Sequence, residues 1–276
     1  MGIFGIHYDR PGPGVSKLAP KKRGVRRLFE LLHREFWSLV KLNLLFCLFA
    51  LPSFLLFTLG LFNVGGGLIF FLSFIAAFPL GGAVTACMFC ITKMLRDDPC
   101  YLLYDFKRKF RENAVQAALP GMLSAAFIYT LLYIWLSIVS GLMAAGYGTI
   151  FLLIVAMAFI GMITPYVFLQ MAHLDLKNAP IIKNSILIAI KYVAKSFCGM
   201  SLGNAIWVVT ALFFPLSLAW APFLLLAGFS LSWLLNLLFI WPAVDAVFSI
   251  DKTIHAMREQ KMSGIPVVFS AREPLP

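Results

Sequence analysis

Cys87 and Cys90 stand at the spacing of a CxxC motif, which in a soluble loop can bind a metal ion or exchange a disulfide. Here the pair lies inside a long apolar segment, with no histidine or acidic residue close by in the sequence. Free cysteines in such surroundings usually act as small packing residues. We therefore favour a structural role for the pair and expect all five cysteines of the chain to be reduced thiols.

The four histidines do not form a recognisable metal-binding pattern. His173 and Asp175 are too sparse a pair for a catalytic zinc ion, which typically takes three protein ligands. The sequence also lacks HExxH, a phosphate-binding glycine loop and a nucleophile elbow. We expect the histidines to be solvated, and we predict a protein without a cofactor or metal that is not an enzyme.

Four amide side chains interrupt the apolar segments, and they are the best candidates for a polar site inside a membrane. Such amides either hydrogen-bond between helices, a normal packing device in bilayers, or line a polar cavity for a solute. A proton-coupled carrier would usually add an acid or histidine at mid-membrane, and none is found there. The possible polar site comprises Asn43, Gln170, Asn204 and Asn236.

A second feature that could matter for transport is the sequence Pro79-Leu80-Gly81-Gly82. Proline and glycine should break or kink a helix at this point. A broken helix can line a substrate site, as in secondary transporters. The same small residues also permit close helix packing, and the sequence leaves both interpretations open.

The elements that position these residues follow from composition: 61% of the 276 residues are hydrophobic and only 13% are charged. A soluble domain carries roughly a quarter charged residues, so the bilayer is the natural solvent. About 20 apolar residues are needed to cross it. The sequence predicts an all-α polytopic membrane protein with six transmembrane helices, at about 36–59, 68–91, 117–139, 149–171, 196–218 and 222–244.

Lysine and arginine divide sharply between the loops. The segments at 60–67, 140–148 and 219–221 carry no charge, whereas the two other loops and both termini carry all the basic residues except Lys41. Because positive charge stays in the cytoplasm, we predict a cell-membrane protein with both termini inside. Its parts are a basic tail (1–35) with a possible interfacial helix at about 24–36, a transmembrane domain (36–244) with cytoplasmic loops at about 92–116 and 172–195, and a second tail (245–276).

The cytoplasmic segments also show helical periodicity. Leu103, Phe106 and Phe110 form one stripe, and Ile181 to Lys195 shows a second apolar side. Each pattern predicts an amphipathic helix lying in the inner interface. Basic residues beside a membrane anchor indicate contact with anionic inner-leaflet lipids or a partner rather than nucleic acid. That face comprises Lys21, Lys22, Arg23, Arg26, Arg27, Lys107, Arg108, Lys109 and Arg111.

Three stretches of the chain resemble a known family of bacterial membrane proteins. The first is PGPGV at 11–15 with APKK at 19–22 and FWSLVKLNLL at 36–45. The second is TKMLRDD at 92–98 with Tyr101, Asp105-Phe106, Phe110 and Asn113, and the third joins Pro165-Tyr166, Asp175-Leu176 and Lys183-Asn184. Together they are similar to YesL-like integral membrane proteins, a family of unknown function. The resemblance implies a role linked to carbohydrate uptake.

Three functions follow as expectations. The first is a non-enzymatic membrane component linked to solute uptake, which acts through a membrane transport or signalling partner. The second is a small-solute carrier or channel, suggested by the amides and the Pro79 break. The third is an intramembrane enzyme, which the absence of clustered reactive groups in the sequence makes the weakest of the three.

Overall fold

The chain folds as a bundle of long apolar helices. The computed structural model describes residues 25–62, 66–144, 146–213, 219, 221–254 and 256, and these contain no strand. The helices are α1 (Val25–Leu61), α2 (Gly66–Ala76), α3 (Phe78–Arg96), α4 (Leu102–Val139), α5 (Tyr147–His173), α6 (Asn178–Lys191), α7 (Val193–Leu212), α8 (Ala221–Phe223) and α9 (Phe229–Phe248), with a π-helical turn at Leu224–Gly228 between the last two.

The described residues contain five spans that are long and apolar enough to cross a membrane: α1, α2 joined to α3, α4, α5, and the π-helical turn joined to α9. A sixth is obtained when α6 and α7, which meet at 97°, count as one broken span. The prediction of an all-α polytopic membrane protein is therefore confirmed.

The helix break predicted around Pro79 lies two residues earlier, at Ala77, between α2 and α3. Pro79 falls in the first turn of α3, where a helix needs no backbone N–H and tolerates proline. Beyond the break, Gly81 of α3 touches α4 so closely that a Cβ atom there would clash with the carbonyl oxygen of Ala117, and Gly121 of α4 meets the backbone of Gly81. These glycines therefore allow close packing of α3 on α4.

The predicted interfacial helices have different outcomes. The possible one at the end of the N-terminal tail is the start of α1 and continues into the first span. The helix expected from Tyr101 to Asn113 is the first part of α4 and continues into the span without interruption. Its Phe106 and Phe110 do not face lipid, because they stack on Phe49 of α1 at ring distances of 5.9 and 4.6 Å. The third is a separate helix, α6, which ends at an elbow at Tyr192.

The elbow between α6 and α7 is held by polar side chains of α5. The Tyr166 hydroxyl lies 2.8 Å from the Ser196 hydroxyl on α7. One turn further along α5, the amide nitrogen of Gln170 donates to the Ser185 hydroxyl on α6 at 2.8 Å. Because α5 contacts both arms of the elbow, it fixes the angle between them.

Candidate functional site at the basic end of the bundle

One end of the bundle gathers most of the described charged side chains, and we call it the basic end. Contacts between α1 and α3, between α3 and α4, and between α3 and the segment after α9 meet there. The start of α6 joins them, because the Asn178 amide donates to the Gln116 carbonyl oxygen of α4 at 3.1 Å. Four separate segments that the sequence predicts to be cytoplasmic therefore meet at this end of the bundle.

Asp97 closes one side of the basic end by joining α3 to α1. It ends α3 in the left-handed conformation (φ 63°), and its carboxylate accepts hydrogen bonds from Arg27 at 2.7 Å and Arg34 at 2.6 Å. Both arginines also donate to the last carbonyl oxygens of α3, those of Leu95 and Met94. Burial acts to raise the pKa of Asp97, but the hydrogen bonds and charges of Arg27 and Arg34 outweigh it and hold that pKa below its ordinary value.

A cleft of about 360 Å³ opens beside this network. The Phe89 ring lies on the wall of the cleft. The ammonium nitrogens of Lys93 and Lys109 lie over this ring, at 5.8 and 5.0 Å from its centre. The Arg96 guanidinium lies 5.5 Å from the ring of Trp241 and pairs with Asp98 at 3.0 Å. Four basic side chains and one carboxylate line the cleft: Lys93, Arg96, Arg108, Lys109 and Asp98.

His173 lies in the same cleft and differs from the solvated histidine expected from the sequence. Its Nε2 is 2.8 Å from the Thr92 hydroxyl of α3. The ring contacts Phe89 and Trp241 at 5.4 and 5.1 Å. The sequence spacing of Thr92 and His173 gives no signal for this contact, because it depends on how α3 packs against α5.

A second, shallow and outward-facing groove lies between side chains along the first turns of α4. It is lined by Tyr104, Lys107, Arg108, Arg111 and Glu112. The Glu112 carboxylate forms ion pairs with Arg108 at 3.5 Å and with Lys109 at 2.8 Å. Lys107 and Arg111 are exposed at positions four residues apart, so they present positive charge on one side of the helix.

The structure therefore divides the basic residues that the sequence grouped into one face. Lys107 and Arg111 line the outward groove, Lys109 lines the cleft, and Arg108 borders both. Arg26 is exposed, whereas Arg27 is only 7% exposed and pairs with Asp97 inside the protein. Lys21, Lys22 and Arg23 lie outside the described residues.

Asn43 of α1 is fully buried and binds the backbone of the π-helical turn. Its amide nitrogen donates to the Leu225 carbonyl oxygen at 2.6 Å. Its side-chain oxygen accepts the N–H groups of Phe229 and Ser230 at 2.9 and 3.0 Å. A π-helical turn disturbs the regular backbone pattern, and Asn43 satisfies the groups that this disturbance leaves free.

The three other amides have separate surroundings. Gln170 reaches Ser185 on α6, and Asn236 of α9 packs against Gly203 of α7. Asn204 is exposed on α7 and donates to the Met200 carbonyl oxygen of its own helix. Within the described residues no hydrogen bond joins any two of these four amides, and a polar site shared by them stays a prediction.

The CxxC pair is buried in α3. Among the described residues, no group of three or more His, Cys, Asp or Glu side chains is placed to hold a metal ion. The packing role favoured by the sequence agrees with this burial.

These features define the class of the protein: an all-α, multi-pass membrane protein whose charged helix ends converge at one end of the bundle. No known protein family, curated protein or solved structure matches the chain.

Proposed function

We propose that this chain is a non-enzymatic membrane component that supports solute uptake by binding an anionic partner at its basic end, on the cytoplasmic side. The observation that carries the proposal is the gathering of basic side chains around a cleft and a groove. The cleft has four cations and one carboxylate on its walls, and the groove has three cations and one carboxylate.

The groove along α4 is the primary contact surface in this proposal. Its cations are exposed and lie on the rigid extension of a membrane-spanning helix. Anionic inner-leaflet lipids would be attracted by about 1 kcal/mol per basic residue. An acidic surface of a membrane transport or signalling protein would be recognised by the same charges.

The cytoplasmic orientation rests on the charge division between loops. The link to solute uptake, with carbohydrate as the solute class, rests on the resemblance to YesL-like proteins. The interior of the bundle favours a partner-binding role, because Asn43, Gln170 and Asn236 each contact a different neighbour. Among the described residues no hydrogen bond joins the four amides into one solute path.

A carrier or channel is the second candidate. Two buried side-chain oxygens, those of Gln170 and Asn236, have no hydrogen-bond partner in the described residues, and the span of α2 and α3 is broken at Ala77. Purified protein in liposomes would then move a sugar or ion, and loss of that flux in Asn236→Leu would support this candidate over the first.

The partner-binding role is tested with the triple variant K107E/R108E/R111E. We expect it to insert and fold normally, to lose the transport or signalling protein that cross-links to the wild type in membranes, and to slow solute uptake by cells. The matched control is K183E/K191E/K195E, which reverses three charges on α6 and α7 instead. Equal effects of both variants, or no recoverable transport or signalling protein with the wild type, would contradict the proposal.

The contribution of lipid is separated in a second measurement. Wild-type and triple-variant proteins are placed in nanodiscs of neutral lipid with a small fraction of anionic lipid, and the retained anionic lipid is counted by native mass spectrometry. Loss of bound lipid together with retained protein cross-linking identifies lipid as the ligand of the groove. Retained lipid together with loss of protein cross-linking identifies the protein partner as the ligand of the groove.

A further inference from the structure

One face of α7 is largely exposed in the described chain. Asn204 lies at the edge of this face that borders α5, with its amide nitrogen 3.9 Å from the position that a Cβ on Gly161 would take. The opposite face carries Gly199 and Gly203, which pack closely on α9. On the outer face, apolar and small residues follow one another at intervals of three and four residues, the spacing of a coiled-coil seam. The seam comprises Ala194, Phe197, Ser201, Asn204 and Val208, of which Ser201 is half-buried and the others are exposed.

Asn204 is the unusual member of this seam. It lies 11 residues after Val193 at the start of α7, which places it about 17 Å along the helix and near the middle of a hydrocarbon layer about 30 Å thick. One amide hydrogen bonds to the Met200 carbonyl oxygen at 2.9 Å. The side-chain oxygen accepts no hydrogen bond from any described residue, so an exposed polar group is left in an apolar medium.

We propose that this seam binds a second copy of the same chain, with Asn204 of each copy hydrogen-bonded to Asn204 of the other. Copies that insert with one topology are related by a two-fold axis along the membrane normal. The same residue of each copy therefore meets at the same depth. An asparagine carries both a donor and an acceptor, so two of them satisfy each other.

The neighbouring residues suit this contact. Ala194 and Ser201 are small, which lets two helix backbones approach. The alternation of three and four residues gives the left-handed crossing common among membrane helices. A single asparagine in such a seam also fixes its register, and lipid chains could supply neither hydrogen bond. The inference concerns α7 and does not depend on the function proposed for the basic end.

The dimer is tested with the full chain in lipid vesicles, by energy transfer between labelled copies diluted over a range of lipid-to-protein ratios. We expect Asn204→Leu to raise the dissociation constant roughly tenfold, the scale of one interhelical hydrogen bond in model peptides. Asn204→Gln should retain association. Leu202→Ala, which alters an exposed position of α7 outside the seam, should leave it unchanged.

Cysteine cross-linking provides the second measurement. In a background without native cysteines, Ser201→Cys should form a disulfide between copies under a mild copper oxidant, whereas Leu202→Cys should not. A wild-type protein that stays monomeric at every dilution would overturn the proposal. So would an unchanged dissociation constant in Asn204→Leu, equal cross-linking at both positions, or cross-linking of Ser201→Cys only to a different protein.

Discussion

The Asn43 amide nitrogen donates to the Leu225 carbonyl oxygen at 2.6 Å and so connects the middle of α1 to the π-helical turn that precedes α9. The same side chain also accepts two backbone N–H groups at the start of α9. In a bilayer no water replaces such bonds. The π-helical turn and α1 therefore depend on each other for hydrogen-bond satisfaction.

Asn43→Leu should lower the free energy of unfolding by about 2 kcal/mol or more, because each unsatisfied buried polar group costs ~1–3 kcal/mol. The measurement is unfolding in mixed micelles, followed by circular dichroism. Thr130→Ala is the control, because Thr130 is exposed and, among the described residues, bonds only to the Ala126 carbonyl oxygen of its own helix. Equal stabilities of the two variants would show that the contact with α1 is dispensable.

Gly81→Ala should destabilise the protein by about 3 kcal/mol or more, because the added Cβ would clash with the Ala117 carbonyl oxygen and force α3 away from α4. Gly67→Ala serves as the control, since no atom lies within 4 Å of its added Cβ. We expect Gly67→Ala to be neutral or slightly stabilising, as alanine has the higher helix propensity. Thermal unfolding in detergent compares the two, and similar melting temperatures would contradict the close packing.

Asp97→Asn should reduce stability at neutral pH, because it removes the charge that Arg27 and Arg34 contact while keeping a residue that tolerates the left-handed conformation. Since folding lowers the pKa of Asp97, the stabilisation by this carboxylate is present above its unfolded pKa of about 3.9 and is lost as the pH falls through the lower folded value. The difference between wild type and variant should therefore shrink toward pH 3.

This comparison is made by thermal unfolding between pH 7 and pH 3. Asp175→Asn, which alters an exposed carboxylate between α5 and α6, controls for general charge effects. A difference between Asp97→Asn and wild type that stays constant over the whole range would show that the Asp97 charge does not contribute.

The predicted orientation is tested by single cysteines in a background without native cysteines. Leu142→Cys, at an exposed position in the uncharged loop after α4, should react with a membrane-impermeant maleimide added to intact cells. Lys107→Cys, at the basic end, should react only after the cells are opened, because positive-inside insertion places it in the cytoplasm. The opposite labelling pattern would reverse the orientation and remove the cytoplasmic partner from the proposed function.

The long apolar runs predicted the fold class well, since a bilayer demands helices of a minimum length. The fate of an amphipathic stripe was harder to predict. Phe106 and Phe110 alternate with basic residues as they would at a lipid surface, yet they pack on Phe49. Helical periodicity of apolar residues indicates that one side of a helix is buried, but it does not indicate whether protein or lipid covers that side.

The candidate site was predictable only in part. The charge division grouped Lys107, Arg108, Lys109 and Arg111, and all but Lys109 line one groove because they lie on one side of a helix. It could not separate Arg27, whose partner Asp97 is 70 residues away. The contacts of Asn43 could not be predicted either, because the sequence at 224–228 has no pattern that indicates a π-helical turn.

The Gly81 contact with α4 joins helices that follow one another in the chain, with only the residues between Arg96 and Leu102 to connect them. Such a local pair needs little loop closure. During synthesis it can form as soon as α4 has entered the bilayer, before any later helix has joined it there. The α3–α4 pair would then serve as the template on which α5 and α9 assemble.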